Sequence, residues 1–262
     1  MLNIHLGPHK TATTYLQSVM KNSEWLPGYR YFDIFESRRE VLSQVRDCAE
    51  GELPACMSDS SLNYVYSDEN LIGGPQGPLN MYPQAASSLK WSKGHKPNLF
   101  FALRPYHEIY VSSWLESLRF SPFFKFREGP AERGYVQVLE EIDSYVEPGN
   151  FTLWMYSDFR GHPEEIINMI SGGGIKKFGE HDSGSERLSP TRQEVDLYTK
   201  VVPYVGRKFQ AEVFNIIRNS MTVKSEEKFQ PFSESDIDRL KDRFLRDVEI
   251  IRDKFGIWQP AD

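Results

Sequence analysis

The sequence predicts an α/β fold, with a central parallel sheet, helices on both of its faces, and a helical C-terminal region. Three observations carry this. Leu2, Ile4 and Leu6 alternate with polar residues, and Gly7-Pro8 then breaks the alternation before Leu16, Val19 and Met20 fall at helical spacing. The run Leu99-Phe100-Phe101-Ala102-Leu103 is continuously apolar, as a parallel strand covered on both faces requires. Strand-length and helix-length stretches then alternate as far as about residue 170, the order that builds parallel sheets.

Taken in order, the first strand ends at Gly7 and a helix runs from about Thr13 to Lys21. Further strands are expected at residues 29–34, 63–67, 98–103 and 151–156, with helices at 36–49, 106–119, 131–146 and 163–170. Residues 73–83 and 172–185 are rich in Gly, Pro and Ser and read as loops near a site mouth. Beyond about Ser189 the pattern is almost wholly helical. Ile237, Leu240, Phe244, Val248 and Ile251 recur at helical spacing, behind a Ser233-x-x-Asp236 start and ahead of Gly256 as a stop. This reads as an amphipathic helix packed on the core.

The bulk numbers exclude several classes. The chain has 262 residues, 39% hydrophobic and 26% charged, which suits one large folded domain spanning residues 1–262. A net charge of −6 gives no sign of nucleic-acid binding, although an acidic chain can still build a local anion site. Cys48 and Cys56 form no cluster with zinc-ligand spacing and read as two thiols in a reducing compartment. No leader pattern opens the chain, and no apolar run reaches the roughly 18–20 residues of a membrane span. The expectation is a cytoplasmic protein with no bound metal.

The chemistry concentrates in Gly7-Pro8-His9-Lys10-Thr11-Ala12-Thr13-Thr14, where the first strand meets the first helix. A helix N-terminus offers unpaired backbone N–H groups and a partial positive charge, so an anion settles there. Lys10 adds a full charge, and Thr11, Thr13 and Thr14 add hydroxyls. Gly7 permits a tight turn beside the ligand. His9, inside the loop, is a further donor for a phosphate oxygen. The nucleoside-triphosphate loop G-x-x-x-x-G-K-[ST] is not matched, because two residues separate Gly7 from Lys10 and His9, not glycine, precedes the lysine. Asp158 is the nearest candidate for a magnesium-binding aspartate. A polar helix start with no ligand is the bland alternative.

The pattern G-P-H-K-T-x-T-T after an N-terminal strand resembles the 5′-phosphosulfate loop of the sulfotransferases that use 3′-phosphoadenosine 5′-phosphosulfate (PAPS), in the form found in bacterial and carbohydrate-type members. The resemblance implies a P-loop-like three-layer sandwich. It also implies that Lys10 contacts the bridging oxygen and sulfuryl group, and that residues 11–14 bind the 5′ phosphate. Ala12 stands where the family has glycine, an exchange that a negative φ at the helix start would accommodate. In the family an Arg ending a central strand and a Ser eight residues on bind the 3′ phosphate. The counterparts here are Arg104 and Ser112, with Ser113 as the alternative because Pro105 falls one position earlier than usual. Forked guanidinium hydrogen bonds suit a phosphate. Taken singly, an Arg at a strand end is also an ordinary surface ion-pair partner.

Val65-Tyr66-Ser67-Asp68-Glu69-Asn70-Leu71 resembles the S-x-E-x-L segment of carbohydrate-type members, which makes Glu69 the base, with Asp68 a lesser candidate. A solvated loop carboxylate is the alternative. His5, between Ile4 and Leu6, reads as a strand histidine with its hydrogen bonds met. Tyr156-Ser157-Asp158-Phe159 resembles the family's Y-E-D-L turn and reads as structural, and Arg187-Leu188-Ser189 occupies the region where other members close a basic loop over the adenosine, with Arg187, Lys176 and Lys177 as the candidate cations for that role. Trp91, Trp114, Phe120, Phe123 and Phe124 are candidates for an acceptor cleft or for the core, Trp114 for the core above all. The resulting expectation is sulfuryl transfer from PAPS, leaving 3′-phosphoadenosine 5′-phosphate (PAP), to a hydroxyl on a carbohydrate or lipid-linked acceptor. A P-loop-like kinase using ATP and a non-catalytic nucleotide-binding protein are the other readings.

Overall fold

The computed structural model describes residues 1–73, 81–126, 133–181, 189–221 and 228–260. Its elements run β1 (Leu2–Gly7), α1 (Thr13–Asn22), β2 (Glu24–Trp25), β3 (Tyr29–Phe32), β4 (Asn63–Ser67), β5 (Asn98–Leu103), α2 (Tyr106–Ser117), α3 (Tyr135–Val146), β6 (Asn150–Met155), α4 (Pro163–Ser171), β7 (Ile175–Lys177), α5 (Arg192–Val201), α6 (Gln210–Ser220) and α7 (Glu234–Phe255), with shorter helical turns between them. Five strands form one parallel sheet in the order β3-β4-β1-β5-β6.

The apolar run in β5 shows why this sheet is covered on both sides. Leu99, Phe101 and Leu103 belong to one hydrophobic cluster and Phe100 and Ala102 to another. The first cluster also takes in Tyr106 and Ile109 of α2, Leu139 and Ile142 of α3, and Phe244 and Val248 of α7. The second takes in Leu16 and Val19 of α1 and Ile166 and Ile170 of α4. Successive strand residues point to opposite faces, so two helical layers sandwich the sheet. This is the predicted three-layer α/β architecture.

Four of the five sheet strands start and end as predicted or within a residue of it, and β3 stops two residues short. The long last helix is also as predicted, with the Ser233 hydroxyl accepting from the Asp236 N–H at its start and Gly256 closing it. Its inner face meets a group of stacked aromatics, Tyr106, Tyr110 and Tyr135 with Phe244 edge-on, and the Tyr106 hydroxyl donates to Asp247.

Two segments depart from expectation. Residues 36–49 do not form one helix. Asp33 caps Ile34–Glu36, a wide π turn occupies Ser37–Val41, and Leu42–Val45 resumes the α form. The wide turn brings the buried Ser37 hydroxyl within 3.2 Å of the buried Asp68 carboxylate. The second departure is β7, inside a stretch read as loop. It pairs antiparallel with β2, and the Gly179 N–H donates to the Ser23 hydroxyl. Pairings this short leave no periodic pattern to read.

Candidate active site

Sheet order determines where a ligand can lie. The chain leaves β1 for β3 and β4 on one side, then crosses to β5 and β6 on the other. Helices above and below therefore part at the carboxyl ends of the central strands, leaving a crevice. A cleft of about 390 Å³ opens there. Its lining is drawn from the residues just beyond four adjacent strands: Glu69 after β4, the loop after β1, Arg104 after β5, and Tyr156 and Arg160 after β6.

The loop after β1 takes its shape from three residues with positive φ. Gly7 has φ of +96°, and a Cβ on it would lie 3.0 Å from the Cβ of Glu69. Glycine thus allows the β1 and β4 ends to touch, which sets Glu69 beside the loop. Lys10 and Ala12 also lie in the left-handed region, at φ of +66° and +62°. The negative φ that would accommodate Ala12 is therefore not what the chain adopts: the position has the backbone that glycine prefers. α1 begins at Thr13 with no side chain capping it and no acidic residue in its first turn. Its first N–H groups are thus left to the cleft.

The loop's side chains divide into two groups. His9, Lys10, Ala12, Thr13 and Thr14 line the cleft. Gly7 and Thr11 do not. Thr11 is buried and its hydroxyl donates to the Pro8 carbonyl at 2.6 Å, so it braces the loop from within. His9 is also occupied: its backbone N–H donates to the Tyr82 hydroxyl at 3.0 Å, Nδ1 lies 3.4 Å from that same hydroxyl, and Nε2 lies 3.3 Å from Asn70 Oδ1. These contacts brace the ring against the loop while it still lines the cleft.

Arg104 joins the two halves. Its guanidinium donates to the Lys10 carbonyl, while Nε lies 3.1 Å from Glu108 and the group rests 4.8 Å from the Tyr156 ring centre. Tyr156 is thus part of the site, not merely of a turn. One helical turn apart on α2, Ser112 and Glu116 face the cleft. Ser113 does not, its hydroxyl being buried without a hydrogen-bond partner, so geometry selects Ser112. Lys10 Nζ lies 3.5 Å from Glu116 Oε2, which also lies 3.6 Å from Arg119.

The two candidate bases separate clearly. Asp68 is buried, accepts from the backbone and side-chain amides of Asn70 at 2.9 Å, and faces Ser37. Burial raises its pKa above the usual carboxylate range. Glu69 lines the cleft, with Oε2 accepting from Gln17 Nε2 at 3.1 Å. Below them, His5 Nδ1 lies 2.9 Å from the Ser67 hydroxyl and its ring stacks on Trp154, but Nε2 has no partner. Only half of its hydrogen bonding is met, contrary to expectation, and burial holds its pKa down at about 3.

Several lining residues were not anticipated: Tyr15, Glu116, Arg160, His181, Ser189 and Lys228. The last two come from the C-terminal third, where Thr191 and Lys228 bridge. Lys176 instead pairs with Glu24 at 2.6 Å on an exposed surface, neither Lys176 nor Lys177 lines the cleft, and Arg187 lies outside the described residues. Trp91 and Trp114 are buried in the core, whereas Phe120 and Phe124 are exposed. Among the described residues no group of three His, Cys, Asp or Glu side chains could hold a metal ion, and no helix is long and apolar enough to cross a membrane.

No protein-family profile matches the sequence, and no curated protein matches it. Among solved structures, the chain is similar to the crystal structure of a sulfotransferase from Alicyclobacillus acidocaldarius, at 10% identity and a TM-score of 0.40, over 85% of this chain and 98% of that one. At that identity and TM-score the likeness adds nothing to the reading of the site. What the residues define is an α/β chain with a cleft at the carboxyl edge of its parallel sheet, lined by Lys10, Arg104 and the start of α1.

Proposed function

We propose that this chain is a PAPS-dependent sulfotransferase acting on a hydroxyl. The observation that supports it best is the placement of Lys10 and Arg104 in one cleft, with Glu69 at its wall. A nucleotide phosphorylated at both its 5′ and 3′ positions needs two separate cationic subsites, and a volume of about 390 Å³ suits a ligand of that class. Backbone N–H groups at the start of α1, with Thr13 and Thr14, would hold the 5′ end, and Arg104 with Ser112 the 3′ phosphate. PAPS supplies a sulfuryl group carried on a phosphate.

The protein's own contribution follows from placement. Lys10 brings a cation to the side of the cradle where charge develops on the leaving phosphate. Glu69, held by Gln17, accepts the acceptor hydroxyl's proton on its carboxylate. The acceptor class we propose is a carbohydrate or lipid-linked hydroxyl, with sulfuryl transfer requiring no metal ion.

The test is a thermal-shift titration with PAP against ADP and ATP. A ligand present at 100 times its Kd should add about 2.7 kcal/mol to stability. A shift specific to PAP is expected, whereas an equal response to ADP, or a response to ATP that needs magnesium, would move the reading to a kinase. In a transfer assay, Glu69→Gln should leave PAP binding intact and lower turnover by roughly 100-fold or more. Loss of PAP binding in that variant would make Glu69 a structural residue of the loop.

A further inference from the structure

Away from the cleft, the described residues expose five aromatic side chains, and four of them, Phe120, Phe124, Tyr204 and Phe209, belong to two chain segments that are tied together into one surface region. That face is assembled from two chain segments tied by specific contacts. The Phe123 N–H donates to Gln210 Oε1 at 2.9 Å, Asn215 Nδ2 donates to the Arg119 carbonyl at 3.2 Å, and Gln210 Nε2 donates to the Val205 carbonyl at 3.2 Å. The turn before α6 is therefore held out beside the end of α2. Tyr204 at its tip is 90% exposed and Phe120 is 68% exposed, whereas Trp114 and Tyr198 pack beneath.

The charge on this face opposes that of the chain. Residues 116–125 and 200–212 contain five Lys or Arg (Arg119, Lys125, Lys200, Arg207, Lys208) and two acidic residues, Glu116, which lies 3.6 Å from Arg119, and Glu212, a local +3 in a chain of net charge −6. The cations sit with the aromatics, Lys208 4.7 Å from the ring centre of Phe209 and Arg119 5.6 Å from that of Phe120. Exposed aromatic rings beside Lys and Arg match a membrane–water interface, where rings enter the headgroup layer and cations meet lipid phosphates and carboxylates.

We propose that this face docks the protein peripherally on an anionic lipid bilayer. Charge favours this occupant over a second copy, because a two-fold contact through the same patch would set +3 against +3. The site is placed to use it. α2 carries Ser112 and Glu116 to the cleft and ends at Ser117, three residues before Phe120, so only about 8 Å of helix separates Ser112 from the end that leads into the docking face. The inference is independent of sulfuryl transfer, and its test does not use activity.

The experiment is co-sedimentation of the full chain with vesicles of phosphatidylcholine alone or with phosphatidylserine, at low and raised salt. Binding is expected to the phosphatidylserine vesicles and to fall with salt. Arg207→Glu with Lys208→Glu should weaken partitioning by roughly ten-fold or more, since each cation near the surface contributes about a five-fold factor. Tyr204→Ser with Phe209→Ser should also release the protein while leaving its thermal unfolding unchanged. Equal binding to both vesicle types, no binding to either, or binding unaffected by both double variants would overturn the proposal. So would a dimer in solution that Tyr204→Ser converts to a monomer, which would make the face a self-interface.

Discussion

The two halves of the cleft are built differently. The half after β1, from Gly7 to Thr14, is contiguous: one loop between one strand and one helix supplies glycine, lysine, hydroxyls and the uncapped start of α1. The opposite half is assembled from Arg104 and Ser112 around β5 and α2, Tyr156 and Arg160 after β6, and Ser189 and Lys228 near the C-terminus. A contiguous site is specified by local geometry and tolerates distant change. An assembled one depends on the sheet bringing strand ends together. The Arg104 contact to the Lys10 carbonyl is where the two meet.

Four experiments act on that contrast. Lys10→Ala should have the largest effect, a loss of roughly 100- to 1000-fold in transfer with the fold retained, as expected for one cation at developing charge. Full transfer in this variant would remove the loop from the mechanism. Arg104→Ala should cost about 1.5–3 kcal/mol of PAP binding and abolish the preference for PAP over ADP, read by titration calorimetry. An unchanged preference would shift the 3′ subsite to Arg160 or Lys228.

His5→Gln tests the support below both halves. In the folded chain His5 stays neutral down to about pH 3, whereas unfolded it takes a proton near 6.5. Its stabilising contribution is therefore complete above 6.5 and drains away as pH falls from 6.5 to about 3. The slope expected is about 1.4 kcal/mol per pH unit, and denaturant unfolding of His5→Gln should lose it. The smallest effect is Ala12→Gly. Relief of a left-handed alanine, partly offset by the freedom of glycine in the unfolded chain, should raise stability by about 0.5–1 kcal/mol. Destabilisation would mean that the alanine methyl packs at a cost greater than its backbone strain.

Much of this was legible in the sequence, for identifiable reasons. β4 and β5 are where their apolar runs place them, and the α7 cap at Ser233 and stop at Gly256 follow from local hydrogen bonding. The resemblance ranked Glu69 ahead of Asp68, but the physical difference between them, a buried Asp68 and a Glu69 at the cleft, emerges only on folding, because adjacent residues in a turn point in different directions and nothing local says which one reaches the core. The same holds for Ser112 against Ser113, 100° apart on one helix.

The sequence by itself determined the alternation of strands and helices, the break at Gly7-Pro8, and the density of donors between Lys10 and Thr14, since each depends on residues within a turn of one another. Tertiary structure alone decided the positive φ of Ala12, the occupation of His9 by Tyr82 and Asn70, the Lys10–Glu116 pair, and the arrival of Arg160 and Lys228 at the cleft. These depend on which strands become neighbours. Strand order is set by how the whole chain buries its two apolar faces, and no short window of sequence contains that information.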